Sequence, residues 1–183
     1  MEIVESFRES YRARVGPADW IDDLEEGWAR EYPEADLSTL PPLVRLARLA
    51  VLIERFHTEC LEPFDLTPAD YSVLAALRRT GAPYRASPSS LYNILQRSSG
   101  GMTKMLKRLE SRGLVRRSPD PRDGRGSLVA LTRAGIRVQE KAFHALLERT
   151  QELFGDVSPR AIEQVDRALR LLLDVFERHL PSE

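Results

Sequence analysis

Ser98-Ser99-Gly100-Gly101-Met102-Thr103-Lys104-Met105-Leu106-Lys107-Arg108-Leu109-Glu110-Ser111-Arg112-Gly113 is followed at once by Leu114-Val115-Arg116-Arg117 and, a few residues on, by Leu128-Val129-Ala130-Leu131. The reading of this stretch decides the fold. Met102, Leu106 and Leu109 stand at i, i+4 and i+7, the spacing of one apolar helix face. Ser98 to Gly101 make a turn and a helix start, and Gly113 is a natural terminator. The period then changes to short β-type runs. Between the two runs lies Ser118-Pro119-Asp120-Pro121-Arg122-Asp123-Gly124-Arg125-Gly126, rich in turn formers. That pattern predicts a hairpin with a long basic tip.

Upstream, two more helix starts share one design. Thr67-Pro68 and Ser87-Pro88 each place a capping hydroxyl before a proline at the first helical position. The first helix has Tyr71, Leu74, Ala75 and Leu77 at helical spacing and is broken by Gly81-Ala82-Pro83. The second has an inner stripe of Leu91, Ile94 and Leu95. Two short helices, a tight turn, a third helix and a β-hairpin are the order of a winged helix-turn-helix. The expected fold is therefore mainly α with a small β-hairpin, a DNA-binding lobe over 63–132 holding recognition helix 98–112 and wing 114–131.

Charge supports that reading. The net charge is only −1 over 183 residues, but it is unevenly spread. Residues 1–39 carry eleven carboxylates against four arginines, a net −7, whereas residues 84–133 carry eleven cations against three carboxylates, a net +8. A basic segment within a near-neutral chain is a footprint for a polyanion. The major groove of DNA admits one helix, whose inner face must be apolar and whose outer face polar and cationic. Thr103 and Lys104 are placed to read base edges, and Gly100 and Gly101 allow close backbone approach. Ser98 and Ser99 at the helix start, with Lys107 and Arg108, are expected at phosphates. Arg125 and Arg122 at the hairpin tip are expected in an adjacent minor groove, whose potential suits arginine. Asp123 is expected to orient one of these arginines.

The segment Leu66-Thr67-Pro68-Ala69-Asp70-Tyr71-Ser72-Val73-Leu74-Ala75-Ala76-Leu77, with Ser98 to Thr103, Arg108 to Arg117, Asp120 to Arg125 and Leu131-Thr132-Arg133-Ala134-Gly135, resembles the MarR family of bacterial regulators. The resemblance covers about 70 residues. The family's wing usually reads Asp-Arg-Arg; Gly124 replaces the first arginine, while Asp123 and Arg125 remain. The resemblance implies dimers that bind pseudo-palindromic operators, usually as repressors, and release DNA when a small ligand, often aromatic and anionic, binds. Glu26-Gly27-Trp28-Ala29-Arg30 further resembles the urate-responsive branch, in which Trp28 matches a ligand-site tryptophan. That branch also carries an aspartate where this chain has Ser72. The implied effector is therefore aromatic or anionic, near Trp28.

The remaining segments fit this scheme. Residues 1–38 read as an acidic helical extension. Residues 39–62 and 133–183 read as N- and C-terminal dimerisation helices, making a homodimer. Leu43, Leu46, Leu49, Leu52, Ile53 and Phe56 cover most of the circumference of one helix, which is therefore expected to be buried on several sides. Thr132 and Ser158-Pro159 start two further helices, the last with the stripe Ile162, Val165, Leu169, Leu172, Phe176 and Leu180. No apolar run is long enough for a transmembrane span and the N-terminus has no secretory pattern, so a cytoplasmic protein is expected.

One cysteine, Cys60, excludes an intramolecular disulfide, and its neighbours Glu59 and Glu62 oppose thiolate formation. His57, His144 and His179 have no partners at ligand spacing, so neither a metal nor another cofactor is expected. No phosphate-binding glycine loop, Gly-x-Ser-x-Gly or His-Glu-x-x-His motif is present, and no enzymatic activity is expected. The competing reading is a non-specific architectural DNA-binding protein. It differs from a regulator in the affinity ratio between operator and random DNA, typically ~10³–10⁷ for a regulator.

Overall fold

The computed structural model describes residues 19–95, 99–121 and 123–180, with the backbone alone at 99, 100 and 123–125. The chain divides into two compact units, 1–57 and 58–183. Among the described residues there are seven α-helices and one small antiparallel sheet.

In the first unit, α1 spans Trp20–Glu31. Asp19 caps it in a reciprocal box with Asp22, so two orphan N–H groups are satisfied at once. Arg45, from the next helix, bonds Asp19 at 3.0 Å and Asp22 at 2.7 Å. This guanidinium holds the Asp19 carboxyl below the usual carboxylate range. The acidic extension is thus helical only over 20–31 among its described residues, and turns follow at 33–35.

Helix α2 spans Leu40–Leu61. The expectation that it is buried on several sides is not met within one chain. Leu43, Leu49, Val51 and Ile53 are all more than a third exposed. Apolar residues circle this helix, but the described chain covers only some of that circumference.

The second unit holds the expected lobe. A 3-10 turn at Glu62–Phe64 leads to α3, Pro68–Arg79, which supplies much of the core through Val73, Leu74 and Leu77. Strand β1, Arg85–Ala86, precedes α4, Pro88–Leu95. Leu91 is fully buried in α4, but Ile94 is half exposed, so the inner stripe of this helix is narrower than its spacing suggested. Helix α5 spans Ser99–Ser111, β2 Val115–Asp120 and β3 Asp123–Leu131. Helices α6, Arg133–Leu153, and α7, Pro159–His179, complete the chain. Thr132 and Ser158 cap them, each accepting from an N–H three residues on.

Two features of the sheet differ from the sequence reading. It has three strands in the order β1-β3-β2, because the dipeptide Arg85-Ala86 pairs with Ala130 and Val129. The tip is also largely strand: β2 continues through Ser118-Pro119-Asp120, with Pro119 opposite Ser127 and Asp120 opposite Asp123. Between those two rungs β3 carries three residues, Gly124, Arg125 and Gly126, against none on β2. Turn-forming residues can be absorbed in this way by an irregular ladder at the end of a hairpin.

Candidate nucleic-acid interface

Helix α5 has the two faces its sequence demanded. Met102, Leu106 and Leu109 are at most 1% exposed, whereas Gly101, Thr103, Lys104 and Lys107 are exposed. The helix ends in a complete Schellman motif. Gly113, at φ 65°, donates to the Glu110 carbonyl at 2.9 Å, and Leu114 donates to the Leu109 carbonyl at 3.0 Å. The chain therefore enters β2 only three residues, Arg112 to Leu114, after the helix stops.

The root of the wing is fastened to α6 at the same place. Thr132 donates from Oγ1 to the Gly113 carbonyl at 2.6 Å and from its N–H to the Leu114 carbonyl at 3.0 Å. Gly135 lies so close to Leu114 that a Cβ would sit 2.0 Å from its carbonyl oxygen. Recognition helix, wing and the long helix α6 thus meet in one joint. Nothing in the sequence beyond the glycine itself announced that contact.

Arg108, expected at a phosphate, is engaged elsewhere. Its Nε donates to Asp70 Oδ1 at 3.1 Å, its Nη2 is 2.5 Å from Asp70 Oδ2, and Nη2 also donates to Thr67 Oγ1 at 2.9 Å. The guanidinium thus has an internal carboxylate as partner while its side chain stays 47% exposed. Arg112 is likewise turned inward, to the carbonyls of Phe64 and Asp65 and the Asp65 carboxylate. Arg117 reaches Glu110 at 3.5 Å. Part of the local positive charge therefore assembles the lobe, and Lys104, Lys107 and Arg116 remain on the exposed surface.

Ser98 and Arg122 lie outside the described residues. Ser99 opens α5, while Asp123 and Arg125 fall on β3 at the irregular end of the hairpin. Trp28 belongs to the first unit, 46% exposed on α1, with its ring 5.7 Å from that of Tyr32. Cys60 is half-buried in a cleft of about 310 Å³ with Glu59, Phe64 and Arg149. Among the described residues no three potential ligands cluster as a metal site. No described helix is long and apolar enough to cross a membrane.

Asp70 is the partner of Arg108 that spacing missed. A cap at Thr67 was legible, but not that Asp70 would close a box with it, nor that the Asp70 carboxylate, 1% exposed, would also receive an arginine from 38 residues away.

An apolar-backed cationic helix between a cap helix and a wing defines a winged helix-turn-helix regulator. The comparisons make the class specific. Residues 64–126 match the model of the MarR family. The chain is 31% identical over 160 residues to the HTH-type transcriptional regulator PecS of Dickeya dadantii, covering 87% of this chain and 94% of that protein. It is 31% identical over 137 residues to the multiple antibiotic resistance protein MarR of Escherichia coli, covering 72% of this chain and 92% of that one. A crystal structure of a mutant E. coli MarR complexed with operator DNA superposes with a TM-score of 0.65 over 76% of this chain and 99% of that chain, at 31% identity. The chain belongs to the MarR family of DNA-binding transcriptional regulators.

Proposed function

We propose that the protein is a ligand-responsive repressor that binds a pseudo-palindromic operator as a homodimer. The observation that carries the DNA reading is α5, buried through Met102, Leu106 and Leu109 and exposed through Thr103, Lys104 and Lys107. Thr103 and Lys104 read bases, with Gly101 allowing close approach. Ser98, Ser99 and Lys107 hold phosphates. Arg125 and Arg122 enter the minor groove, and Asp123 orients them. The lobe is 63–132, the dimer is built from 39–62 and 133–183, and half-sites lie about one helical turn apart.

Selection of bound sequences from a random duplex library tests this, with the winner and a scrambled duplex then titrated at two salt concentrations. A palindrome bound at least ~10³-fold tighter than the control is expected. Equal and steeply salt-dependent binding to both would replace this reading with an architectural one. Within the same assay, Lys104→Ala is expected to lose ~1–3 kcal/mol on the selected site and relax one base position, whereas Lys107→Ala weakens all duplexes alike and lowers the salt slope by about one.

The effector is an aromatic or anionic small molecule bound near Trp28. The indole, 46% exposed and 5.7 Å from the Tyr32 ring, offers an aromatic surface for a planar ligand to stack on. Trp28→Ala is expected to leave operator binding intact and abolish release by the inducer. A folded dimeric variant that still responds in full would remove Trp28 from the site.

A further inference from the structure

We infer that the Asp70–Arg108 pair is a positioning device that fixes the rotation of α5, and hence the base-reading geometry of Lys104 and Thr103. The inference rests on the reading above that α5 enters the major groove. The apolar seat of α5 selects the face that Met102, Leu106 and Leu109 bury, but the hydrophobic effect itself has no directionality to set the last few degrees of rotation. A two-pronged guanidinium–carboxylate pair is directional. Arg108 lies one turn beyond Lys104 on the same side of α5, so its orientation and that of Lys104 are set together.

The acceptor is itself rigid. Asp70 is 1% exposed, and its Oδ2 also accepts from the Thr67 N–H at 3.2 Å and the Thr67 hydroxyl at 3.0 Å. The Asp70 N–H in turn donates to Thr67 Oγ1 at 3.1 Å. The carboxylate is thereby locked to the first turn of α3, the helix whose Val73, Leu74 and Leu77 form the core. Arg108, 47% exposed, transmits that fixed frame to the neighbouring helix. Buried ion pairs add little to stability compared with apolar replacements, and setting register is the better-attested use for one.

The test compares Arg108→Ala, Asp70→Asn and the double variant on the selected operator and its scrambled control. A positioning role predicts that each single change lowers operator affinity by ~10–100-fold, the worth of a disturbed base contact. Affinity for the scrambled duplex and the salt slope stay unchanged. The double variant is no worse than the weaker single, because both changes break one unit. Arg108→Lys keeps the charge without the fork; it also loses most of the discrimination, and it serves as the readout if Arg108→Ala does not fold.

Three results would overturn the proposal. A loss on both duplexes with a slope lower by about one would make Arg108 a phosphate contact. Tighter binding of Asp70→Asn to both duplexes would mean that Asp70 merely sequesters a DNA-binding cation. A lowered melting temperature with the discrimination ratio intact would leave the pair a structural brace. A wild-type ratio near one would instead remove the base-reading role of α5, and the proposal with it.

Discussion

Leu169→Glu is expected to produce a folded monomer whose operator affinity has fallen by ~10²-fold or more, the loss of tethering between two half-site lobes. No residue of α7 is buried in the chain, although the helix has a strongly one-sided apolar stripe. Ile162, Val165, Leu169 and Phe176 are each between 42% and 57% exposed, and Leu180 is 68% exposed. A contiguous apolar face of that length in water marks an interface. A second copy of the chain is the occupant that fits a palindromic DNA site, because a two-fold axis in the protein then matches one in the operator.

Leu169 lies mid-stripe, and a carboxylate there would be buried without a partner in the dimer but hydrated in the monomer. The change therefore acts on association rather than on the fold. Sedimentation velocity and operator titration check it together, and the salt slope should fall by about half as one lobe's phosphate contacts are lost. Arg167→Glu, on the opposite side of the helix, is the control and should leave the dimer intact. A dimeric Leu169→Glu protein, or a monomer with undiminished operator affinity, would sink the dimer reading.

The second large effect is expected at Gly135. A methyl group there would sit 2.0 Å from the Leu114 carbonyl oxygen and 2.9 Å from its carbon. Both are backbone atoms in the joint between Gly113 and Thr132, so no side chain can swing aside. Either α6 or β2 must move. The cost should reach the top of the ~1–3 kcal/mol range for overpacking, a fall of about 6–12 °C in Tm for a chain of this size.

Operator binding should weaken as well, since β2 carries the wing and follows α5 after the three-residue link Arg112-Gly113-Leu114. Gly27→Ala gives the opposite sign. In α1 a Cβ at Gly27 meets nothing nearer than Arg30 at 4.0 Å, so the loss of backbone freedom in the unfolded chain should stabilise by about 0.5–1 kcal/mol. Calorimetry on both variants separates close approach from generic glycine effects. A Gly135→Ala protein as stable as wild type would mean that the α6–β2 joint is soft.

The order of elements in the lobe was legible because its signals are local. A hydroxyl cap ahead of a proline, a three-to-four-residue apolar period and a glycine after the last apolar position all act within one helical turn. The structure accordingly places α3, α4, α6 and α7 where Thr67, Ser87, Thr132 and Ser158 announced them, while Ser99 to Gly101, read as a turn and helix start, already belong to α5. The buried faces of α3 and α5 followed from the same spacing.

The misses share the opposite property. Strand β1 is two residues long, too short to show a period, and exists because the edge of β3 offers it a partner more than forty residues later. The tip of the wing read as loop because Pro119, Pro121, Gly124 and Gly126 are turn formers, yet cross-strand pairing drew much of it into the ladder. The circumference of α2 read as buried because apolar side chains avoid water, and a single chain leaves much of it exposed.

The sequence by itself therefore determined the helices, their caps, their inner faces, the basic character of the lobe and its likeness to a DNA-binding family. Only the tertiary structure decided that Arg108 faces Asp70, that Gly135 touches Leu114 and that β1 joins the sheet. Periodicity and capping are interactions between near neighbours in the chain, and the residue string displays them directly. A guanidinium can pair equally well with any carboxylate or phosphate brought within reach, so its partner is chosen only when the packed core brings distant segments together.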